Sequence, residues 1–272
     1  ENRYLKNEVK LHICNAPSVK CNLMDKAKFE EIVKIEKYDL YKKEAYLRSI
    51  KLPSIKIKGE NRSKKNVGLS KQGGYPEVPE DFEWPKHEFG DYRFALQINL
   101  SEIKFETPLP KTGMLSFFIA NDDDKNVFYG AKDYAKVYHF EEGTPLKTYV
   151  NPNLNYYYVD HCIRIDLLDN VDIPYREELY KDKGLNKKQL DYVCSKVPDM
   201  VSKKTFSYLF GYPYYNTLAY DPRKTDEWTS LLTLRWNNVF SWDWDWDEFL
   251  MFFIEKDKLA KGDFSNIRTD LG

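Results

Sequence analysis

The chain has 272 residues, of which 42% are hydrophobic and 16% aromatic, and this composition favours a folded globule over a disordered chain. Its apolar runs stay below the roughly 20 residues that a membrane-spanning helix needs, so we expect a soluble protein with no membrane partner. The net charge is −1, but residues 1–72 carry 18 Lys and Arg against 9 Asp and Glu, and the remainder is acidic. No concentrated basic stripe of the kind that follows phosphates is present, so we expect no nucleic acid.

The sequence pattern of the N-terminal part, residues 1–51, predicts a helical and extended segment that packs on the body of the protein. Asp25 is placed to cap a first helix, and a second helical run covers residues 38–50. The first helix is expected to bury one face, formed by Phe29, Ile32 and Val33. The basic charge of the segment allows a second interpretation, in which it forms a surface for a partner.

Residues 52–272 predict a single domain in which short strands alternate with Pro, Gly and Asp. One helix interrupts the strands, with Asn186 as its cap and Gln189 at the capping-box position. Strands are expected at Ser54 to Lys58, Tyr92 to Leu100, Met114 to Ile119, Lys136 to Phe140, Cys162 to Leu168, Ser230 to Trp236 and Phe249 to Ile254. The fold class is therefore mainly β (α+β), with a few helices near the N-terminus and in mid-chain.

Three sequence blocks occur twice in the same order, at offsets of 137, 136 and 135 residues. Each copy has a Gly-Tyr-Pro turn, an alternating apolar strand and a Phe-Phe-Ile strand that is apolar on both faces. The two turns are Gly74-Tyr75-Pro76 and Gly211-Tyr212-Pro213. We expect an internally duplicated β roll of two pseudo-equivalent sheet units, at about 73–140 and 205–272, with the default ligand site in the cleft between them.

These blocks resemble the YwqG-like family of bacterial proteins over roughly residues 52–272. The resemblance rests on Gly68 to Pro79, Trp84-Pro85, Leu96 to Asn99, Leu109 to Ile119, Phe249 to Ile254 and Asp263-Phe264-Ser265. It implies a mainly-β roll with internal duplication, and it brings no agreed activity, cofactor or catalytic residue. An immunity or regulatory role linked to a toxin system is implied by association alone. The chain departs from the family at Trp244 to Glu248, where a glycine turn is usual.

Two groups of residues are candidates for binding. If residues 241–247 are extended, Trp242, Trp244 and Trp246 share one face, where they could stack on a sugar or grip a peptide, or could belong to the core. The opposite face carries Asp243, Asp245 and Asp247, a weak calcium alternative that lacks the glycine and glutamate of a calcium loop. The second group is Tyr212, Tyr214 and Tyr215, which either line the cleft or pack as buried aromatics.

No catalytic residue can be assigned from the sequence. The cysteines and histidines match no zinc, disulfide or nucleophile–base spacing, so we expect no metal and no cofactor, and buried thiols suit a reducing cytoplasm. Because the chain begins at Glu1 rather than methionine, removal of a signal segment stays open.

The leading hypothesis is a cytoplasmic, monomeric, non-enzymatic protein that binds another protein. The alternatives are a hydrolase with its site between the halves and a carbohydrate- or peptide-binding module.

Overall fold

The computed structural model describes residues 29, 33–62, 67–122, 133–154, 162–197, 207–215, 218–235 and 249–272. In these residues the chain is mainly β, as the sequence predicts, and a ten-stranded antiparallel sheet dominates it. In spatial order its strands are β14 (Ile267–Leu271), β13 (Phe249–Glu255), β12 (Trp228–Arg235), β11 (Ser207–Phe210), β1 (Leu52–Arg62), β10 (Ile163–Asp172), β2 (Lys71–Gln72), β6 (Arg93–Asn99), β7 (Met114–Ile119) and β8 (Ala135–Phe140).

Smaller elements cover the large sheet. Two small antiparallel pairs are formed by β3 (Glu77–Pro79) with β9 (Leu146–Thr148) and by β4 (Lys86–His87) with β5 (Gly90–Asp91). The α-helices are α1 (Glu44–Ser49), α2 (Lys187–Asp191) and α3 (Lys256–Ala260), and α2 continues as a π turn over Tyr192–Lys196. Short 3-10 turns lie at Tyr41–Lys43, Leu100–Glu102 and Glu177–Tyr180. Within the described residues, no helix is long and apolar enough to cross a bilayer.

The long strands β1 and β10 form the centre of the sheet. They pair antiparallel, with Leu52 opposite Asp172 and Lys58 opposite Asp166. Strands β11 to β14 extend from β1, and strands β2 and β6 to β8 extend from β10. The predicted strand at Met114–Ile119 is confirmed, and all six of its residues are buried because apolar side chains cover both of its faces.

The sheet curls so that its two outer strands approach each other. Although β8 and β14 do not pair, their backbones come close, and the His139 ring lies 6.2 Å from that of Phe264. Inside the curl, the ring of Phe117 on β7 meets that of Phe252 on β13 edge to face, with centroids 5.6 Å apart. One apolar core therefore draws side chains from both ends of the sheet.

A helical layer, defined as residues 33–51 and 174–197, surrounds a second apolar core. Val33, Leu40 and Leu47 are buried there together with Tyr192, Val193 and Val197. The capping box predicted at Asn186 is confirmed, since its side chain accepts from the Gln189 N–H and the Gln189 side chain accepts from the Asn186 N–H, both at 3.0 Å. The Gln189 amide also donates to the carbonyls of Tyr38 and Asp39, which joins the two parts of the layer. Asp25 and Ile32 lie outside the described residues.

Candidate functional site

The three tyrosines predicted to bind a ligand lie around the second Gly-Tyr-Pro turn and are buried. Tyr212, Tyr214 and Tyr215 are exposed by only 4%, 7% and 4%. The Tyr212 hydroxyl donates to the carbonyl of Ile50 at 2.5 Å, and its N–H donates to Asp172 Oδ2 at 2.7 Å. These tyrosines therefore contact other parts of the protein, and a ligand role for them stays a prediction. The other predicted group, Trp242, Trp244 and Trp246 with Asp243, Asp245 and Asp247, lies outside the described residues.

The phenols near this turn act as hydrogen-bond donors. Burial raises the pKa of Tyr212 and of Tyr208, and the nearby carboxylate of Asp172 raises both further. Tyr208 accordingly stays protonated, and its hydroxyl donates a hydrogen bond to the Tyr212 carbonyl at 3.0 Å. A protonated phenol that is already bonded to a carbonyl stabilises the turn and offers no base for chemistry.

An ion pair lies next to the buried tyrosines of the second Gly-Tyr-Pro turn. Arg223 binds both carboxylate oxygens of Asp221, with the shortest contact at 2.6 Å from its Nη2. Burial raises the pKa of Asp221, but the hydrogen bonds and charge of Arg223 outweigh it, so the net pKa is lowered. The Arg176 guanidinium lies 4.9 Å from the centre of the Tyr215 ring, so aromatic and charged groups hold each other here.

The first Gly-Tyr-Pro turn contains a buried ion pair that the sequence did not predict. Lys71 Nζ lies 2.7 Å from Glu77 Oε1, and both side chains are almost fully buried. Glu77 Oε2 accepts from the Gly68 N–H at 2.6 Å, and the Glu77 N–H donates to Gln97 Oε1 at 3.1 Å. The Gln97 amide in turn donates to the Leu69 carbonyl at 3.0 Å. Lys71 and Glu77 are six positions apart and belong to different strands, so the fold alone sets their pairing.

Within the part of the chain that the structure describes, no three His, Cys, Asp or Glu side chains are grouped to hold a metal ion. Burial, helped by the charges of Glu177, Glu178 and Asp191, raises the pKa of the Cys194 thiol to about 12, so this cysteine stays an unreactive thiol at neutral pH.

The helical layer presents a groove to solvent. It has a volume of about 690 Å³ and is formed by residues that run from the start of the layer into α1. Its lining residues are Val33, Lys34, Ile35, Glu36, Lys37, Tyr41 and Glu44. Tyr41, which lines this groove, is 58% exposed.

Lysines and tyrosines alternate beside this groove. The ammonium groups of Lys37 and Lys188 lie 5.7 and 5.9 Å from the centre of the Tyr38 ring, which stacks on Tyr192. The Lys183 ammonium lies 5.0 Å from the ring centre of Tyr46. A Cβ added to Gly184 would lie 3.1 Å from Lys43 Nζ, so Lys43 reaches the same loop. We name Lys37, Tyr38, Lys43, Tyr46, Lys183 and Lys188 the basic–aromatic surface.

Residues 70–271 match the family described as Domain of unknown function (DUF1963). Because the match covers most of the chain, the protein belongs to this family. No curated protein matches the sequence. The matched range contains both Gly-Tyr-Pro turns and the second part of the helical layer, whereas the groove residues 33–44 lie outside it.

Proposed function

We propose that this DUF1963 protein is a non-enzymatic binding protein whose partner is another protein, and that it acts as a monomer in the cytoplasm. The observation that carries the proposal is the groove beside Tyr41 and the basic–aromatic surface that borders it. Tyrosine is among the residues most often responsible for binding energy at protein interfaces.

The use of the buried ionisable groups supports a binding role. Lys71 and Glu77 bond each other, Asp172 accepts from the backbone of the second turn, and Tyr208 and Tyr212 donate to carbonyls. Each of these contacts holds two segments of the chain together. These buried groups therefore serve the fold, which favours binding over hydrolysis.

The position of the groove supports a role in choosing the partner. Residues 33–44 precede the part of the chain that matches the family, so they add a surface to the β body, which we define as the ten-stranded sheet with its connecting segments outside the helical layer. We propose that this layer selects the partner and that the β body positions it. The resemblance to YwqG-like proteins extends the proposal to a protective or regulatory role towards a toxin.

We also propose that the β body arose by duplication of one sheet unit. The β6–β7 and β12–β13 pairs support this, because each contains one register shift at the corresponding place. Leu96 lies opposite Phe117 just after the first shift, and Leu232 lies opposite Phe252 just after the second. These partners are separated by the same offsets, 136 and 135, that relate the sequence blocks.

A matched pair of hydrogen bonds gives further support. The Asn99 N–H donates to Ser70 Oγ at 2.9 Å, and the Arg235 N–H donates to Ser207 Oγ at 3.0 Å. In both units the serine lies four residues before the glycine of the Gly-Tyr-Pro turn, and the donor is the last residue of β6 or β12. A shared side-chain contact of this kind is a specific detail for two units to have in common.

Site-specific photo-crosslinking tests the binding function. A photoreactive phenylalanine replaces Tyr41, and a matched variant carries it in place of Tyr220, which is 52% exposed but hydrogen-bonded to Asp270 on the β body. In a lysate of the cells that make the protein, we expect a discrete crosslinked protein from the first variant and none from the second. Equal products from both positions, or none from either, would contradict the proposal.

A further inference from the structure

The helical layer carries an excess of positive charge. Residues 33–51 and 174–197 together contain 12 Lys and Arg against 7 Asp and Glu, a balance of +5. The sequence offered two interpretations of the basic N-terminal segment: that it packs on the body or that it faces a partner. In the structure the described part of this segment, residues 33–51, packs against residues 174–197, which are themselves basic, so packing within the layer does not balance its charge.

The four lysines of the basic–aromatic surface form no ion pair with the part of the chain that the structure describes. Lys37, Lys43, Lys183 and Lys188 have no carboxylate within ion-pair distance among the described residues. Lysines elsewhere on the surface do pair, as Lys258 does with Asp263 at 2.8 Å. An array of unpaired ammonium groups on one face supplies a positive field that attracts an oppositely charged partner.

The tyrosines of the surface restrict where these charges lie. Tyr38 holds the ammonium groups of Lys37 and Lys188 within 6 Å of its ring, and Tyr46 holds that of Lys183. Such cation–π contacts are worth only about 0.5–1 kcal/mol at exposed sites, yet they reduce the freedom of the lysine side chains before a partner arrives. Lys37 also lines the groove beside Tyr41, so charge and apolar surface are continuous.

We propose that the basic–aromatic surface docks an acidic segment of the partner protein, with carboxylates on the lysines and an apolar side chain of that segment in the groove beside Tyr41. This inference rests on the proposed protein-binding function and names the chemistry of the partner. The lysines beside the Tyr38 and Tyr46 rings supply point charges for separate carboxylates, and the Tyr41 ring and the groove supply the apolar contact.

The charges between the lysines favour a peptide over a nucleic acid. Glu36 and Glu44 line the groove itself, and Asp182 precedes Lys183. A continuous phosphate backbone would meet these carboxylates, whereas a peptide can place apolar or polar side chains opposite them.

Charge reversal tests the inference with a defined probe. The probe is a fluorescein-labelled peptide in which glutamates flank a pair of leucines, and its binding is followed by fluorescence anisotropy. The variants are K37E/K188E and K43E/K183E, and the matched control is K224E/K261E, which reverses two exposed lysines on the β body. We expect the first two variants to bind at least about tenfold more weakly, the control to bind like wild type, and wild-type binding to fall with added salt.

Three results would overturn the inference. The first is an equal loss of affinity for the peptide in all three variants. The second is tighter binding of a single-stranded oligothymidylate than of the peptide. The third is self-association, seen in sedimentation, that the same charge reversals abolish. If a reversal variant melts early, K37Q/K188Q repeats the test without introducing repulsion. Repeating the Tyr41 crosslink in the K37E/K188E background separates the two proposals. An undiminished crosslink refutes the acidic partner alone, whereas the absence of any crosslink in the wild-type background refutes protein binding.

Discussion

The Lys71 ammonium lies 2.7 Å from Glu77, beside the first Gly-Tyr-Pro turn, in a region from which water is almost excluded. Removing two charges from water is expensive, so such a pair is retained only where its geometry and additional hydrogen bonds compensate. Glu77 has one such bond from the Gly68 N–H, and its own N–H is held by Gln97. The pair therefore joins the segment before the turn to the segment after it.

Loss of one partner should be far more harmful than loss of both. K71M leaves the Glu77 carboxylate buried without its counter-charge, and we expect the free energy of unfolding to fall by about 3–5 kcal/mol in urea titrations. The double variant K71M/E77Q should recover much of this loss, because glutamine still accepts from the Gly68 N–H.

The control for this experiment is the exposed pair of Lys147 with Glu80 on β9 and the turn after β3. K147M should leave the urea midpoint nearly unchanged, because water already solvates both groups. A loss in K71M no larger than that in K147M would show that the buried pair does not stabilise the turn.

At the scale of the element, the second Gly-Tyr-Pro turn shows why its glycine is needed. Gly211 has a φ of +69°, and an added Cβ would lie 2.6 Å from Asp172 Oδ2. The residue before it, Phe210, also has a positive φ of 59°, which is uncommon for a bulky residue. Two successive left-handed residues turn the chain sharply out of β11 and bring the Tyr212 N–H to Asp172.

Two alanine substitutions separate backbone strain from steric contact. Gly68 has a similar φ of +73°, but an added Cβ would meet nothing within 4 Å. In G68A the free energy of unfolding should therefore fall only by the cost of the left-handed conformation, about 1–2 kcal/mol. In G211A it should fall by about 1–3 kcal/mol more, because the methyl group displaces Asp172. Equal losses in thermal or urea unfolding would mean that the carboxylate moves aside freely.

The sequence predicted those elements whose signal is local. The Phe-Phe-Ile strands are continuous apolar runs, and the α2 capping box has its two partners three residues apart. It did not predict β2, since a two-residue strand has no periodicity, nor the pairing of Lys71 with Glu77. It also missed the basic–aromatic surface, because Tyr38 and Lys188 are 150 positions apart and meet only when the layer folds.

At the scale of the whole molecule, the contact between Phe117 and Phe252 joins strands from opposite ends of the sheet. Both rings are fully buried in the core that the curled sheet encloses. Neither half of the sheet can bury its own ring without the other, so we expect the β body to unfold as one cooperative unit.

A double-mutant cycle tests this coupling. F117A and F252A should each lower the free energy of unfolding by about 3–5 kcal/mol, with a coupling energy of about 0.5–1.5 kcal/mol from the edge-to-face contact. The matched cycle uses F118A with F252A, because Phe118 points to the other face of β7 and packs on Phe82 and Phe94. The second cycle should be additive. Coupling of equal size in both cycles, or two separate unfolding transitions, would contradict a single unit.

The approach of β8 to β14 bears on the tendency of the protein to aggregate at high concentration. The outermost strands of an open sheet expose unpaired backbone groups on which a second chain can add a strand, and this is a common route to aggregation. Here the curl turns both outer strands towards each other, and His139 and Phe264 fill the space beside them. We expect this closure to obstruct an incoming strand and thereby to limit aggregation through the edges of the ten-stranded sheet.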